Sequence, residues 1–249
     1  MMRYGAGVLA LACGAAVLAG CSSAGTSGLG QASEAATGAT SGGPVPGTHQ
    51  TTRTYQIAAP VAAVIVVSRA GSVSITGGTG PGVSVAERLT YSKTPPVTSR
   101  TVSGRTLTAA YTCPAQVVCA VSYVLRVPAS VAVRATTTAG AIRLADLSGK
   151  ITAQARAGLI SATGLRGASV SLTNDVGAIS AAFAVPPATL QAVTRVGAIS
   201  LRVPDSTAYT VSADARVGKA TVRVRESASS AHAITATTDV GAILIAPPG

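Results

Sequence analysis

Six glycines pace the second half of this chain at an interval near twenty residues. Gly140, Gly158, Gly177, Gly197, Gly218 and Gly241 stand 18, 19, 20, 21 and 23 residues apart, and the tetrad Val-Gly-Ala-Ile recurs at three of them. Gly71, in "SRAGSVSI", has the same neighbourhood. A period of this length marks a repeat architecture, in which each unit buries its apolar side only against its neighbours. Seven residues before each glycine stand Val133, Ile151, Val170, Leu190, Val211 and Ile234; five before it stand Ala135, Ala153, Leu172, Ala192, Ala213 and Ala236. Immediately before it are Ala139, Ala157, Val176, Val196, Val217 and Val240, and two after it Ile142, Ile160, Ile179, Ile199, Ala220 and Ile243. Alternation of period two with one apolar face is a strand. Inward positions are odd before the glycine and even after it, so both arms face one interior only if the chain bends there. Glycine permits the unusual φ and the close approach that such a bend requires.

The expected fold is therefore all-β: a β-solenoid or β-helix-like stack of two-strand units of about twenty residues. A β-sandwich is the alternative. Val-Pro at Val127-Pro128, Val185-Pro186 and Val203-Pro204 ends units, because proline cannot donate to a ladder. The terminal "LIAPPG" is expected to blunt the last edge. Trp is absent and Phe183 is the lone phenylalanine, which suits a thin interior of small and β-branched side chains.

The N-terminus speaks of location. Arg3 precedes the apolar run "GVLALACGAAVLAG", a secretory signal over residues 1–20. Leu18-Ala19-Gly20-Cys21 resembles the bacterial lipobox, which implies acylation at Cys21 and a membrane anchor on the outer face of the cytoplasmic membrane. Residues 21–52, rich in Ser, Gly, Thr and Ala, read as a flexible tether. Residues 53–130 form an N-terminal β region and 131–249 the repeat region. Cys113 and Cys119 flank "PAQVV" between strand-like runs and, in an oxidising compartment, read as a disulfide across a hairpin. One cysteine pair with His49 and His232 far away makes no metal site, and no cofactor is expected.

The formal charge of +11 leaves the exported part cationic. Outside a membrane, such a surface meets anionic lipid or anionic wall polymer, and nothing in the chain reads as a nucleic-acid motif. Two residues before each glycine lies an outward column: Thr138, Arg156, Asp175, Arg195, Arg216, Asp239. With units stacked in order, Arg156–Asp175–Arg195 form an ion-pair ladder, while Arg195 and Arg216 become like-charged neighbours able to grip an acidic polymer. Asn174 and Asp175 look at first like part of a phosphate or metal loop, but the alignment makes them rungs of the repeat. The acids beyond the tether, Glu87, Asp146, Asp175, Asp205, Asp214, Glu226 and Asp239, single out no catalytic pair, and "G-x-S-x-G" is absent. No catalytic residue is expected, and His232 reads as an exposed strand residue.

The stretch "LRVPASVAVRATTTAGAIRLADLSGKITAQARAGLIS" and the "VGAIS" copies after it resemble a bacterial domain-of-unknown-function family labelled "putative adhesin", over about Thr54 to Ile245. The resemblance implies a β-solenoid-like surface protein and brings no catalytic residues with it. The expected function is a non-enzymatic surface lipoprotein that binds an envelope component or a partner protein. An envelope-stress sensory module and a polysaccharide-cleaving enzyme are the alternatives.

Overall fold

The structure, a computed structural model, describes residues 47–115 and 117–248. The signal-like segment 1–20, Cys21 and the tether up to residue 46 lie outside the described residues. Nineteen strands and no helix occupy those residues. Strands β1 (His49–Ile57), β4 (Val83–Tyr91) and β5 (Val97–Ser103) stand outside the repeat. β1 begins within the stretch read as tether, because His49 to Ile57 pair antiparallel with β4 along their whole length.

Seven layers carry the glycine corner. They are β2 (Ala63–Ala70) with β3 (Val73–Gly78), β8 (Ala132–Ala139) with β9 (Ile142–Ala145), and β10 (Ile151–Ala157) with β11 (Ile160–Leu165). Then come β12 (Ser169–Val176) with β13 (Ile179–Phe183), and β14 (Thr189–Val196) with β15 (Ile199–Arg202). The last two are β16 (Thr210–Val217) with β17 (Ala220–Val222), and β18 (Ala233–Val240) with β19 (Ile243–Ala246). An eighth layer, β6 (Thr106–Thr112) with β7 (Cys119–Pro128), turns its corner through the Cys113–Cys119 disulfide instead of a glycine.

The first strand of each layer joins one sheet and the second strand the other. Sheet A runs β1-β4-β7-β3-β9-β11-β13-β15-β19-β17 and sheet B runs β16-β18-β14-β12-β10-β8-β2-β6-β5. Within the repeat all pairing is parallel and in register, so like residues stack on like. One inner column reads Val211, Ile234, Leu190, Val170, Ile151, Val133, Val64, Leu107. This is the repetitive β-stack expected from the glycine period, not an antiparallel sandwich.

The corner works as the phase slip requires. Gly177 has φ of 130°, and a Cβ there would collide with the carbonyl oxygen of Gly158 in the next layer. The other corner glycines share the positive φ and meet a backbone carbonyl in the same way.

Four expectations are corrected. Positions immediately before the glycines point outward, not inward: Val176, Val196, Val217 and Val240 are 50%, 47%, 60% and 47% exposed. The chain has already begun to turn there, and the inner face ends at the third residue before the glycine. Second, the layers do not stack in chain order. β18/β19 lies between β14/β15 and β16/β17, and β2/β3 lies between β6/β7 and β8/β9. Third, the C-terminal strand β19 is consequently internal, paired on both sides, so "LIAPPG" blunts no edge. Fourth, the disulfide spans no hairpin, because β6 and β7 belong to opposite sheets.

The third residue before each glycine forms a column that is mostly polar, buried except at Ala215 in the last layer: Ser68, Thr137, Ala155, Asn174, Thr194, Ala215, Thr238. Its hydroxyls and amide donate to corner carbonyls one layer away: Asn174 Nδ2 to Gly158 O at 2.8 Å, Thr194 to Gly177 O at 3.2 Å, Thr238 to Gly197 O at 3.1 Å. These are carbonyls that the bend removes from the ladder, and a buried acceptor left unpaired costs about 1–3 kcal/mol. Asn174 Oδ1 is itself buried without a partner. Asn174→Thr keeps one donor for Gly158 O and deletes the orphan oxygen. It is expected to stabilise the protein by about 1 kcal/mol, read as a higher urea midpoint. Asn174→Leu removes the donor too and is expected to lower that midpoint.

Candidate functional site

Any binding by such a stack falls to its outer faces, and the two faces differ in charge. On sheet B the outward column two residues before the glycines reads, in spatial order, Arg216, Asp239, Arg195, Asp175, Arg156, Thr138. Arg195 reaches Asp175 at 3.5 Å and Arg216 reaches Asp239 at 3.6 Å. The insertion of β18/β19 puts Asp239 between Arg195 and Arg216, so these two arginines are not neighbours and form no like-charge clamp. What results is a ladder of alternating sign. Each such exposed pair contributes little, about 0–1 kcal/mol. Together they offset part of the charge on this face, where Arg69, Arg134, Arg156, Arg195 and Arg216 stand against Asp175, Asp214 and Asp239.

Sheet A is the opposite case. Its strands hold a single carboxylate, Glu87, which points inward and is 0% exposed. Its outer side presents Arg88 on β4, Arg126 on β7, Arg143 on β9, Arg202 on β15, and Arg223 just after β17. None of the five is ion-paired among the described residues. Arg202 donates to the Pro247 carbonyl at 3.2 Å, and Arg88, Arg126, Arg143 and Arg223 are exposed. From β4 to β17 there are eight inter-strand steps, so the arginines extend over roughly 38 Å of face. Between them the strands show hydroxyls: Ser74, Ser161, Ser180 and Ser200 are in register with Arg143.

Two open hollows mark this face. One, of about 220 Å³, is lined by Thr52, Ser72, Ala86, Arg88, Ser122 and Val124. The other, of about 310 Å³, is bounded by Arg126, Val127 and the glycine-rich turn Gly77, Gly78, Thr79, Gly80 and Gly82. A hollow of about 250 Å³ on sheet B, by contrast, holds Asp175 beside Arg156 among threonines and Gln154.

The carboxylates that might support catalysis are mostly committed elsewhere. Glu87 binds Arg100, Asp175 binds Arg195, Asp239 binds Arg216 and Asp205 binds Arg225. No three His, Cys, Asp or Glu side chains gather among the described residues. His232 is half-buried just before β18, not an exposed strand residue. Its Nδ1 lies 2.8 Å from the Pro187 carbonyl and its ring packs edge-on to Tyr209.

No family model matches the sequence, and no curated protein matches it. Among solved structures, the chain is similar to one from Clostridium sporogenes described as a putative cell adhesion protein. That likeness has 12% identity and a TM-score of 0.48, over 80% of this chain and 100% of that one. It is also similar to a putative adhesin from Bacteroides fragilis, at 13% identity and a TM-score of 0.43, over 79% of this chain and 97% of that one. A putative adhesin from Parabacteroides distasonis aligns at 12% identity and a TM-score of 0.23, over 78% and 97% of the two chains. Overlaps this loose carry no function across, so the functional reading rests on the two faces.

Proposed function

We propose that this protein is a non-enzymatic, adhesin-like component of the bacterial cell surface that binds an extended anionic polymer along the outer face of sheet A. The observation that carries the reading is the row of arginines on a ten-strand face without one outward carboxylate on its strands. Guanidinium groups match phosphate and carboxylate oxygens bidentately, and an extended row of them suits a linear chain of anions better than a single compact one. The signal-like N-terminus and the lipobox-like Leu18-Ala19-Gly20-Cys21 support a position for that face outside the cytoplasmic membrane, where anionic polymers are met. Loss of palmitate labelling in Cys21→Ala tests the anchor, and labelling that persists refutes it.

The binding test uses linear poly(glycerol phosphate) with neutral dextran as control. Arg88→Gln, Arg126→Gln and Arg143→Gln in one variant are expected to weaken binding at least about tenfold. They also lower the slope of log K against log salt by about 2 to 3, since three phosphate contacts are lost. Arg156→Gln with Arg195→Gln and Arg216→Gln, in the alternating ladder of sheet B, leaves binding within about twofold. If the second variant loses binding and the first keeps it, the sheet A assignment is wrong. If dextran binds as well as the polyanion, the charge reading is wrong altogether.

A further inference from the structure

The two ends of the stack are finished differently. At the β1/β5 end the inward side chains are mixed: Tyr55, Ile57 and Val102 stand beside Thr51, Arg53, Thr98 and Arg100, with Arg100 on β5 reaching down to Glu87 and over the Tyr55 ring. At the other end β16 pairs only with β18, and β17 only with β19. The inner positions of that last layer are Val211, Ala213, Ala215, Ala220 and Val222, all apolar and all partly or fully exposed. One layer further in, the equivalent Ile234, Ala236, Ile243 and Ile245 are at most 1% exposed. At this end the last inner layer is thus wholly apolar and open to solvent, with no charged side chain closing it.

The open edge is also competent to pair. β16 is eight residues long and contains no proline or glycine, and its outward charges, Asp214 and Arg216, are opposite in sign. The chain itself uses the start of that edge. Tyr209 N donates to Arg225 O and Ser227 N donates to Tyr209 O, forming one isolated parallel bridge before the segment turns away. Beyond Tyr209 no further strand joins among the described residues.

We propose that this end docks a second copy of the same chain, with β16 antiparallel to β16 of the copy about a twofold axis. Charge decides the occupant. With Ala215 on the axis, Asp214 faces the partner's Arg216 and Arg216 faces the partner's Asp214. Because Arg216 already touches Asp239, the pairing continues the alternating ladder of sheet B across the axis. Head-to-tail stacking, which would build an open filament, would bury Arg53 and Arg100 of the β1/β5 end against the apolar last layer. The assembly is therefore a closed pair that extends both sheets and doubles the length of the arginine face.

Sedimentation velocity of the full chain tests this, with circular dichroism to show that each variant is folded. The wild-type protein is expected at twice the monomer mass. Asp214→Arg alone and Arg216→Asp alone are each expected as monomers, because each sets like charges against each other across the axis. An equal mixture of the two is expected to restore the doubled mass, since every facing pair is then opposite in sign. Ala213→Lys on the open inner face also yields monomer, while Val102→Lys at the other end leaves the pair intact. A wild-type monomer overturns the proposal, as does a series of larger species. A pair that survives in both charge variants alone, or a mixture that stays monomeric, overturns it too.

Discussion

Gly177→Val is expected to destabilise the protein by at least about 3 kcal/mol, enough to unfold a large fraction of molecules near physiological temperature. Two terms add. At φ of 130° an L side chain sits in a region that only glycine occupies readily, at a cost of about 1–3 kcal/mol. The new Cβ then falls on the Gly158 carbonyl oxygen, which belongs to backbone and cannot swing aside. Relief would require the two layers to separate, and the layers on both sides stack through the same corner. Gly80→Ala is the matched control. A Cβ there meets nothing within 4 Å, so its effect is expected within about 0.5 kcal/mol of zero. Urea denaturation of the two variants reads the difference directly. Comparable midpoints would mean that the corner tolerates a side chain and that the repeat is not held by its glycines.

That contrast also shows what the sequence made legible. The corner glycines were visible because each reverses the side-chain parity, a signal that a loop glycine such as Gly80 lacks. The order of the layers was not visible. β16/β17 and β18/β19 carry the same pattern, so periodicity cannot say which lies outermost, and the Arg195–Arg216 clamp fell with the assumption of chain order. The polar column at Thr137, Asn174, Thr194 and Thr238 was hidden because two alanines interrupt it and threonine is common on either face of a strand. The cationic face was half legible. Arg143 and Arg202 lie three and five residues past their glycines, which is outward parity for the second strand. Arg88 and Arg126 lie in strands outside the glycine frame, so only the fold brings them to the same surface.

The buried ion pair that closes the other end is the second place where one substitution should have a large effect. Arg100 Nη1 donates to both carboxylate oxygens of Glu87 at 2.9 Å and to Thr98 Oγ1 at 3.0 Å, with its guanidinium 3.6 Å from the Tyr55 ring centre. Glu87 has no exposed surface, whereas the arginine side chain retains 24%. Burial, with the Glu87 charge next in effect, pushes the neighbouring Tyr123 phenol above its ordinary range, and its hydroxyl has no partner. Arg100→Ala therefore strands a carboxylate in an apolar setting, at an expected cost of about 3–5 kcal/mol. Arg53 stands opposite Glu87 on β1 and can supply part of the missing charge. Arg53→Ala combined with Arg100→Ala should accordingly cost more than the sum of the single changes. Replacing both members of the pair, Glu87→Leu with Arg100→Met, removes the need for compensation and should recover most of the loss. Had the pair been a net source of stability, this double variant would be as unstable as Arg100→Ala. Recovery would instead assign it the role of keeping a charged group over this end of the stack, whereas the inner positions of β16 and β17 carry none.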